Sequence, residues 1–315
     1  PQALVDTPGV AQAWIDIKKK SKKTFLTILT GKHSTLEAEQ ALNREGVPVF
    51  TYPDQVGPAL KGLWDHKEYL DSPKFEQVEV KGVDKHKMAA AMKLVGERKA
   101  VGEYESRIML EAYDIPNVPG DLATSADEAV EIAQACGYPV VLKIVAEGLL
   151  HKSDAGGIKL NIKNDEELRV AYDNLITHIA KVEPNAEIQG AMVERMAEKG
   201  QEVIVGMRRD ETFGPMMMFG MGGTMVELLK DINFKIAPLS REDILAMIDE
   251  TIAGRLMKGF RGSKPADMEA VIDVIARLSQ LAIDNPEIEE IEINPLIVYP
   301  EGKGVVAIDS RAILK

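Results

Sequence analysis

A single lysine stands in the apolar run Val140–Val145, and seven residues beyond Ile144 comes His151, followed by Lys152, Ser153, Asp154 and the pair Gly156–Gly157. The run is too short to span a membrane and reads as a buried strand carrying one charge, Lys143; a second strand-like run, Ile158 to Ile162, closes the loop. Glycines there let backbone N–H groups approach a charged ligand. The loop is not the common nucleotide loop, because G-x-x-x-x-G-K-[ST] needs a glycine before Lys152 and LLHKS has none. A purely structural reading stays open for each residue. The Lys143 stem could pack on the sheet with its head in solvent, His151 could be an ordinary loop histidine, and Gly156–Gly157 a tight turn.

A second group lies near the end of the chain. If Pro300, Glu301, Gly302 and Lys303 form a four-residue loop, Tyr299 pairs with Gly304, and the same register sets Asn294 opposite Asp309. Two oxygen ligands then share one face, with Glu292 two residues away on that face. So few protein oxygens suit magnesium held jointly with nucleotide phosphates. The alternative is the polar, solvent-facing side of an edge hairpin, and a one-residue slip would separate the pair.

These groups need elements to hold them. Residues 1 to 72 alternate helix and strand signals: a helix Gly9–Lys19, a strand Phe25–Thr30, a helix Leu36–Glu45, a strand Val47–Thr51 and a helix from Gln55 to about Tyr69. That is the rhythm of a parallel sheet with covering helices. Residues 73–85 are charged and read as a linker. Met88 to about Tyr113 is helical in period, and Ser125-x-x-Glu128 is a capping box opening a helix that ends at Gly137. Helices Asp165–Val182, Ser240–Met247 and Asp267–Asp284, strands Glu187–Glu194, 200–210 and 214–221, and the final hairpin complete the pattern. Met216, Met217, Met218, Met221 and Met225 read as core filling.

Composition limits the function. The 315 residues bury a substantial core, with 45% hydrophobic and 5% aromatic residues, as in mixed helix and sheet enzymes. A net charge of −12 disfavours a nucleic-acid partner; the basic run Lys18, Lys19, Lys20, Lys22 and Lys23 reads as a solvated helix end. Cys136 is the one cysteine, which excludes an intrachain disulfide and fits a reducing, cytoplasmic setting. No apolar run reaches the roughly 18 residues of a membrane span, so no membrane partner is expected.

The motifs VVLKI, HKSDAGGI, VERM, QEVIVGMRRDETFGP, MFGMGG, VELLKD, APL, EINPL and AIDSR, in this order, resemble the ATP-grasp portion of the NDP-forming acyl-CoA synthetases, relatives of succinyl-CoA synthetase. The resemblance runs from about Lys87 to the C-terminus; Ala146-Glu147 departs from the Ser-Pro often found before the histidine. It implies an α/β chain: an ATP-grasp fold of two α+β subdomains over 88–315, a linker over 73–87, and over 1–72 the C-terminal part of a flavodoxin-like α/β CoA-ligase domain. The CoA-binding domain and the primary phosphohistidine would lie upstream, on a longer protein or another subunit.

The implied reaction joins a carboxylic acid, CoA and ATP into acyl-CoA, ADP and phosphate through an acyl phosphate and a phosphohistidine. Implied cofactors are ATP/ADP and Mg2+, with CoA as co-substrate. Lys143 would contact nucleotide phosphate. Glu194, Arg195 and Met196 match the hinge beside adenine, and Glu202 the place where the nucleotide's polar edge is recognised. Asn294 and Asp309 match the magnesium ligands, and Glu292 a carboxylate that orients the phosphohistidine. His151 matches a second histidine that relays the phosphoryl group, since a neutral imidazole is a nucleophile near pH 7. Gly156–Gly157 and the turn holding Gly222 and Gly223 would offer N–H groups to the transferred phosphate. The family also implies oligomers. Two other readings remain at this stage: a non-catalytic regulatory module, and an ATP-grasp ligase for another carboxylate in which His151 is dispensable.

Overall fold

The computed structural model describes residues 5–31, 34–71, 76–147, 149, 152, 155–223 and 231–315. The chain divides into two compact units, Pro1–Lys74 and Phe75–Lys315. In the first, α1 (Thr7–Lys20), β1 (Thr27–Ile28), α2 (Leu36–Arg44), β2 (Val49–Phe50) and α3 (Val56–Asp71) alternate, and β1 pairs with β2 in parallel. Ala11, Ile15, Ala38, Leu42 and Val47 form its small core. The basic run closes α1 as a helix end, where Lys18 donates to the Glu45 carbonyl at 2.8 Å and Lys19 pairs with its carboxylate at 3.0 Å.

The second unit begins with α4 (Lys85–Val95), β3 (Ala100–Val101), α5 (Glu103–Ala112), β4 (Gly120–Ala123), α6 (Ala126–Cys136), β5 (Val140–Glu147), β6 (Ile158–Ile162), α7 (Asp165–Val182) and β7 (Glu187–Arg195). It continues with β8 (Gln201–Asp210), β9 (Gly214–Met221), β10 (Ile232–Ile236), α8 (Arg241–Asp249), α9 (Ile252–Met257), α10 (Met268–Asp284), β11 (Ile288–Val298), β12 (Val305–Ala307) and β13 (Ser310–Leu314). Among the described residues, a four-stranded sheet runs β4-β7-β5-β6 and a seven-stranded sheet runs β10-β9-β8-β11-β13-β3, with β12 also beside β11.

Strand alternation decides what each sheet presents. In the smaller sheet Val140, Leu142, Ile144, Ala191 and Val193 enter a core closed by Leu168, Leu175 and Ile179 of α7. Lys143 and Glu194 are thereby turned to the opposite face. In the larger sheet Val203, Val205, Phe219, Ile291 and Ile293 pack on Met247, Ile275 and Leu278 of the helices, which leaves Glu290, Glu292 and Asn294 on the far side. Burying each large apolar side chain stabilises by about 1.5–3 kcal/mol, and a one-residue slip would expose the whole set.

The structure departs from the sequence reading in several places. The helical pattern Met88–Tyr113 is two helices, α4 and α5. Gly96 turns out of α4 at a φ of 61°, and Ala100 and Val101 leave the helix to pair with Ile313 and Ala312 of β13. The expected linker 73–87 is too long at its C-terminal end: Val78, Val80 and Val83 pack against the main core, and Asp84 caps α4 by accepting from the His86 and Lys87 N–H groups. At Ser125 only half of the capping box forms, because the Glu128 carboxylate accepts from Thr124 instead. Strands β4 and β10 and helix α9 had no sequence expectation. Of the methionines, Met217 lies in the core and Met221 packs against it, whereas Met216 and Met218 point to the opposite side of β9; Met225 lies outside the described residues.

Candidate active site

Lys143 is buried and held by three partners. Its Nζ donates to Glu103 Oε1 at 2.5 Å and the Ile308 carbonyl at 2.6 Å, and lies 2.8 Å from Glu194 Oε2. Burial alone would lower its pKa; Glu103, Glu194 and Asp309 overcome that and raise it. Lys152 Nζ reaches Glu103 Oε2 at 2.7 Å, and Arg107 pairs with Glu194 Oε1 at 2.8 Å while donating to the Val118 carbonyl at 2.7 Å. Burial pushes Glu103 up, but Lys143 and Lys152 outweigh it and hold this carboxyl below the usual range. Glu194 ends above its usual range, because desolvation and Glu103 outweigh its two cations.

The hairpin brings the second group to the same place. Tyr299 N–H donates to the Gly304 carbonyl at 3.1 Å, Leu296 pairs with Ala307, and Asn294 N–H donates to the Asp309 carbonyl at 3.0 Å, the register expected from the loop length. A small cleft is lined by Asp309 and Ile308 from the hairpin, Glu103 and Arg107 from α5, and Glu194 from β7. Asp309 keeps an exposed surface yet is hemmed in by protein; that partial desolvation, then Glu103, push its carboxyl up to about 6 against the pull of Lys143 and Lys152. Asn294 Oδ1 accepts from Gly223 N–H at 2.9 Å, which fixes the amide and leaves a lone pair.

Gly222 and Gly223 form the turn after β9. Gly222 N–H donates to the Glu202 carbonyl at 3.1 Å, and Gly223 has a φ of 67°, with room for a side chain blocked by the Glu202 carboxylate. Gly157 is stitched to the site loop: its N–H donates to the Lys152 carbonyl at 2.7 Å and its carbonyl accepts from Ile144 at 2.8 Å, while Gly156 takes a φ of 71°. Arg195 and Met196, both exposed, open the connection from the smaller to the larger sheet; their N–H groups donate to the Pro119 and Pro139 carbonyls. Glu292 lies one alternation along β11 from Asn294, 3.3 Å from Arg311. His151 lies outside the described residues.

Glu194 and Asp309 thus line one cleft with Lys143 held against Glu194 behind it, Asn294, Gly222, Gly223 and Glu202 adjoin through the hairpin, and Arg195 and Met196 stand at the inter-sheet connection. Sequence reasoning missed Glu103, Arg107 and Lys152. An acidic residue at the first position of a helix reads as a dipole partner, and nothing in its neighbours signals that it is buried.

Residues 93–314 match the ATP-grasp domain family. The chain is 45% identical over 222 residues to the acetate–CoA ligase [ADP-forming] I subunit beta of Pyrococcus furiosus, covering 70% of this chain and 95% of that one. It is 38% identical over 293 residues to acetate–CoA ligase [ADP-forming] I of Archaeoglobus fulgidus, where the match takes in 93% of this chain but 42% of the relative, so the chain spans less than half of that protein's length. Among solved structures, acetyl-coenzyme A synthetase 1 of Ca. Korarchaeum cryptofilum superposes with a TM-score of 0.63 at 40% identity over 72% of this chain and 98% of that one. That structure is a complex with coenzyme A and Mg-AMPPCP, its phosphohistidine segment pointing towards the nucleotide binding site.

Proposed function

Because this chain belongs to the ATP-grasp family of the ADP-forming acyl-CoA synthetases, we propose that it is the nucleotide-binding, phosphoryl-transferring part of such an enzyme. The observation that carries the reading is the bond from Lys143 to the Ile308 carbonyl, which sets its ammonium beside Asp309 in the hairpin where Asn294 N–H donates to the Asp309 carbonyl. The overall reaction is carboxylic acid, CoA and ATP to acyl-CoA, ADP and phosphate. Lys143 meets nucleotide phosphate, Glu194, Arg195 and Met196 border adenine, Glu202 meets the nucleotide's polar edge, and the turns Gly156–Gly157 and Gly222–Gly223 bring backbone close to the phosphates. The N–H groups of Gly157, Gly222 and Gly223 already donate to Lys152, Glu202 and Asn294 and so are not the phosphate donors expected of them.

Asn294 Oδ1 and the Asp309 carboxylate fit a magnesium ion that takes its remaining ligands from phosphate and water. Two hard oxygens and, among the described residues, no cluster of three or more His, Cys, Asp or Glu groups suit that shared mode. The ion would supply charge neutralisation to the phosphates. Glu292 orients an incoming phosphohistidine, and His151 relays the phosphoryl group. CoA and the primary phosphohistidine come from further domains or a partner subunit, residues 1–72 form part of a flavodoxin-like ligase domain, and the assembled enzyme is an oligomer. Among the described residues no helix is long and apolar enough to cross a membrane, and the single Cys136 supports a cytoplasmic setting.

Calorimetric titration with Mg-ADP tests the site: wild type binds, and Asn294→Ala with Asp309→Ala loses the magnesium-dependent binding. Equal binding by the double variant overturns the metal assignment. For His151, Mg-ATP labelled at the terminal phosphate should leave acid-labile, base-stable label on wild type and none on His151→Ala; label on both removes the relay role.

A further inference from the structure

Three oxygens surround the Lys143 ammonium, as many as it has hydrogens: Glu103 Oε1 at 2.5 Å, the Ile308 carbonyl at 2.6 Å and Glu194 Oε2 at 2.8 Å. A phosphate oxygen can reach this ammonium only by displacing one of them. Each of the two carboxylates has a second cation on its other oxygen. Glu103 Oε2 lies 2.7 Å from Lys152 Nζ, and Glu194 Oε1 lies 2.8 Å from Arg107 Nη1. The two are not equally served. Arg107 divides its charge between Glu194 and Glu111 and also donates to the Val118 carbonyl, whereas Lys152 forms, among the described residues, no ion pair but the one with Glu103. Glu103 is therefore the carboxylate that can best spare Lys143. Its side chain is only 3% exposed, so without Lys152 the departure of Lys143 would leave it an unpaired buried ion.

We infer that Lys152 is a positioning residue for nucleotide phosphate: by holding Glu103 it frees Lys143 to change partners. The inference rests on the phosphoryl-transfer reading above. The exchange moves no proton and breaks no covalent bond. The Lys143 ammonium stays charged and trades the Glu103 oxygen for a phosphate oxygen, while Glu194 and the Ile308 carbonyl keep it in place and Glu103 is left to Lys152 alone. The Lys152 backbone is fixed independently of the Lys143 side chain. Its carbonyl accepts from Gly157 N–H at 2.7 Å, and the Gly157 carbonyl accepts from Ile144 N–H at 2.8 Å, which ties the loop to β5. A compact charge on a flexible stem can then follow the Glu103 carboxylate as it lets Lys143 go.

The test is a double-mutant cycle on the full chain, read as the Kd of Mg-ADP by calorimetric titration. Lys152→Met should raise that Kd about tenfold, the worth of one charged hydrogen bond, because binding now strands Glu103. In a Glu103→Gln background no anion is stranded, so the same Lys152→Met change should move the Kd by less than about twofold. Lys152→Arg, which keeps the charge, should retain most of the affinity. Should Lys152→Met not fold, Lys152→Gln carries the same cycle. A wild-type Kd in Lys152→Met overturns the inference. So does a tenfold loss that persists with Glu103→Gln, which would mean that Lys152 touches the nucleotide itself. In both cases the nucleotide site stands; if wild type binds no Mg-ADP, the phosphoryl-transfer reading falls and the exchange with it.

Discussion

Lys143→Met removes the charge at the centre of the cleft while keeping most of the side-chain volume. Lys143, Glu103 and Glu194 have side chains only 7%, 3% and 4% exposed, so water cannot replace the lost ammonium. Glu103 would be left with Lys152 and Glu194 with Arg107, two carboxylates no longer bridged by a cation. Breaking a buried ionic pair costs about 3–5 kcal/mol; the surviving cations hold the loss near the lower end, about 3 kcal/mol. At roughly 2–4 °C per kcal/mol for a chain of this size, the ligand-free melting temperature should fall by about 6–12 °C. Adding Glu103→Gln takes away one of the stranded charges, so the double variant should be less destabilised than the sum of the singles by about 1 kcal/mol. Scanning calorimetry on the four proteins reads both quantities. A Lys143→Met melt coincident with wild type, or strict additivity, refutes the argument that these groups stabilise one another.

Asp309→Asn should stabilise the metal-free chain above pH 6. With the folded carboxyl raised to about 6, protonation favours the folded state, so ionisation between its ordinary pKa and 6 costs stability that the amide escapes. Solvent access at Asp309 reduces the gain to about 1 kcal/mol. It should vanish below about pH 4, where both states are protonated; a gain that persists there would contradict the cause assigned. Gly223→Ala forces a side chain into a left-handed backbone and against the Glu202 carboxylate, and should cost about 1–2 kcal/mol and weaken Mg-ADP binding. Adding Glu202→Ala should return only the steric part, as read by the same melts; full recovery would show that backbone strain contributes nothing.

What could be read in the chain is what strand alternation and turn length fix by themselves. The register of Asn294 on Asp309 follows from a four-residue loop, and the facing of Lys143 away from the helices follows from the apolar residues on either side of it. The breaks in the first helices were hidden, because Ala100 and Val101 leave the helical pattern for an edge of β13 more than 200 residues later. Glu103 is concealed in the same way, since its burial depends on Lys143 and Lys152, which arrive 40 and 49 residues later.

That concealment has a physical cause. Lys143, Lys152 and Arg107 face Glu103, Glu194 and Asp309, three cations against three carboxylates, drawn from α5, β5, the loop after it, β7 and the hairpin. No one of these elements would hold its charge away from water alone, since the desolvation of an unpaired ion outweighs what local packing returns. Only when the smaller sheet meets the hairpin, where Lys143 donates across to the Ile308 carbonyl, do the charges find partners. The charged cluster therefore exists as a property of the meeting of the two sheets. On the function proposed above, an arriving phosphate would have to compete with Glu103 and Glu194 for Lys143.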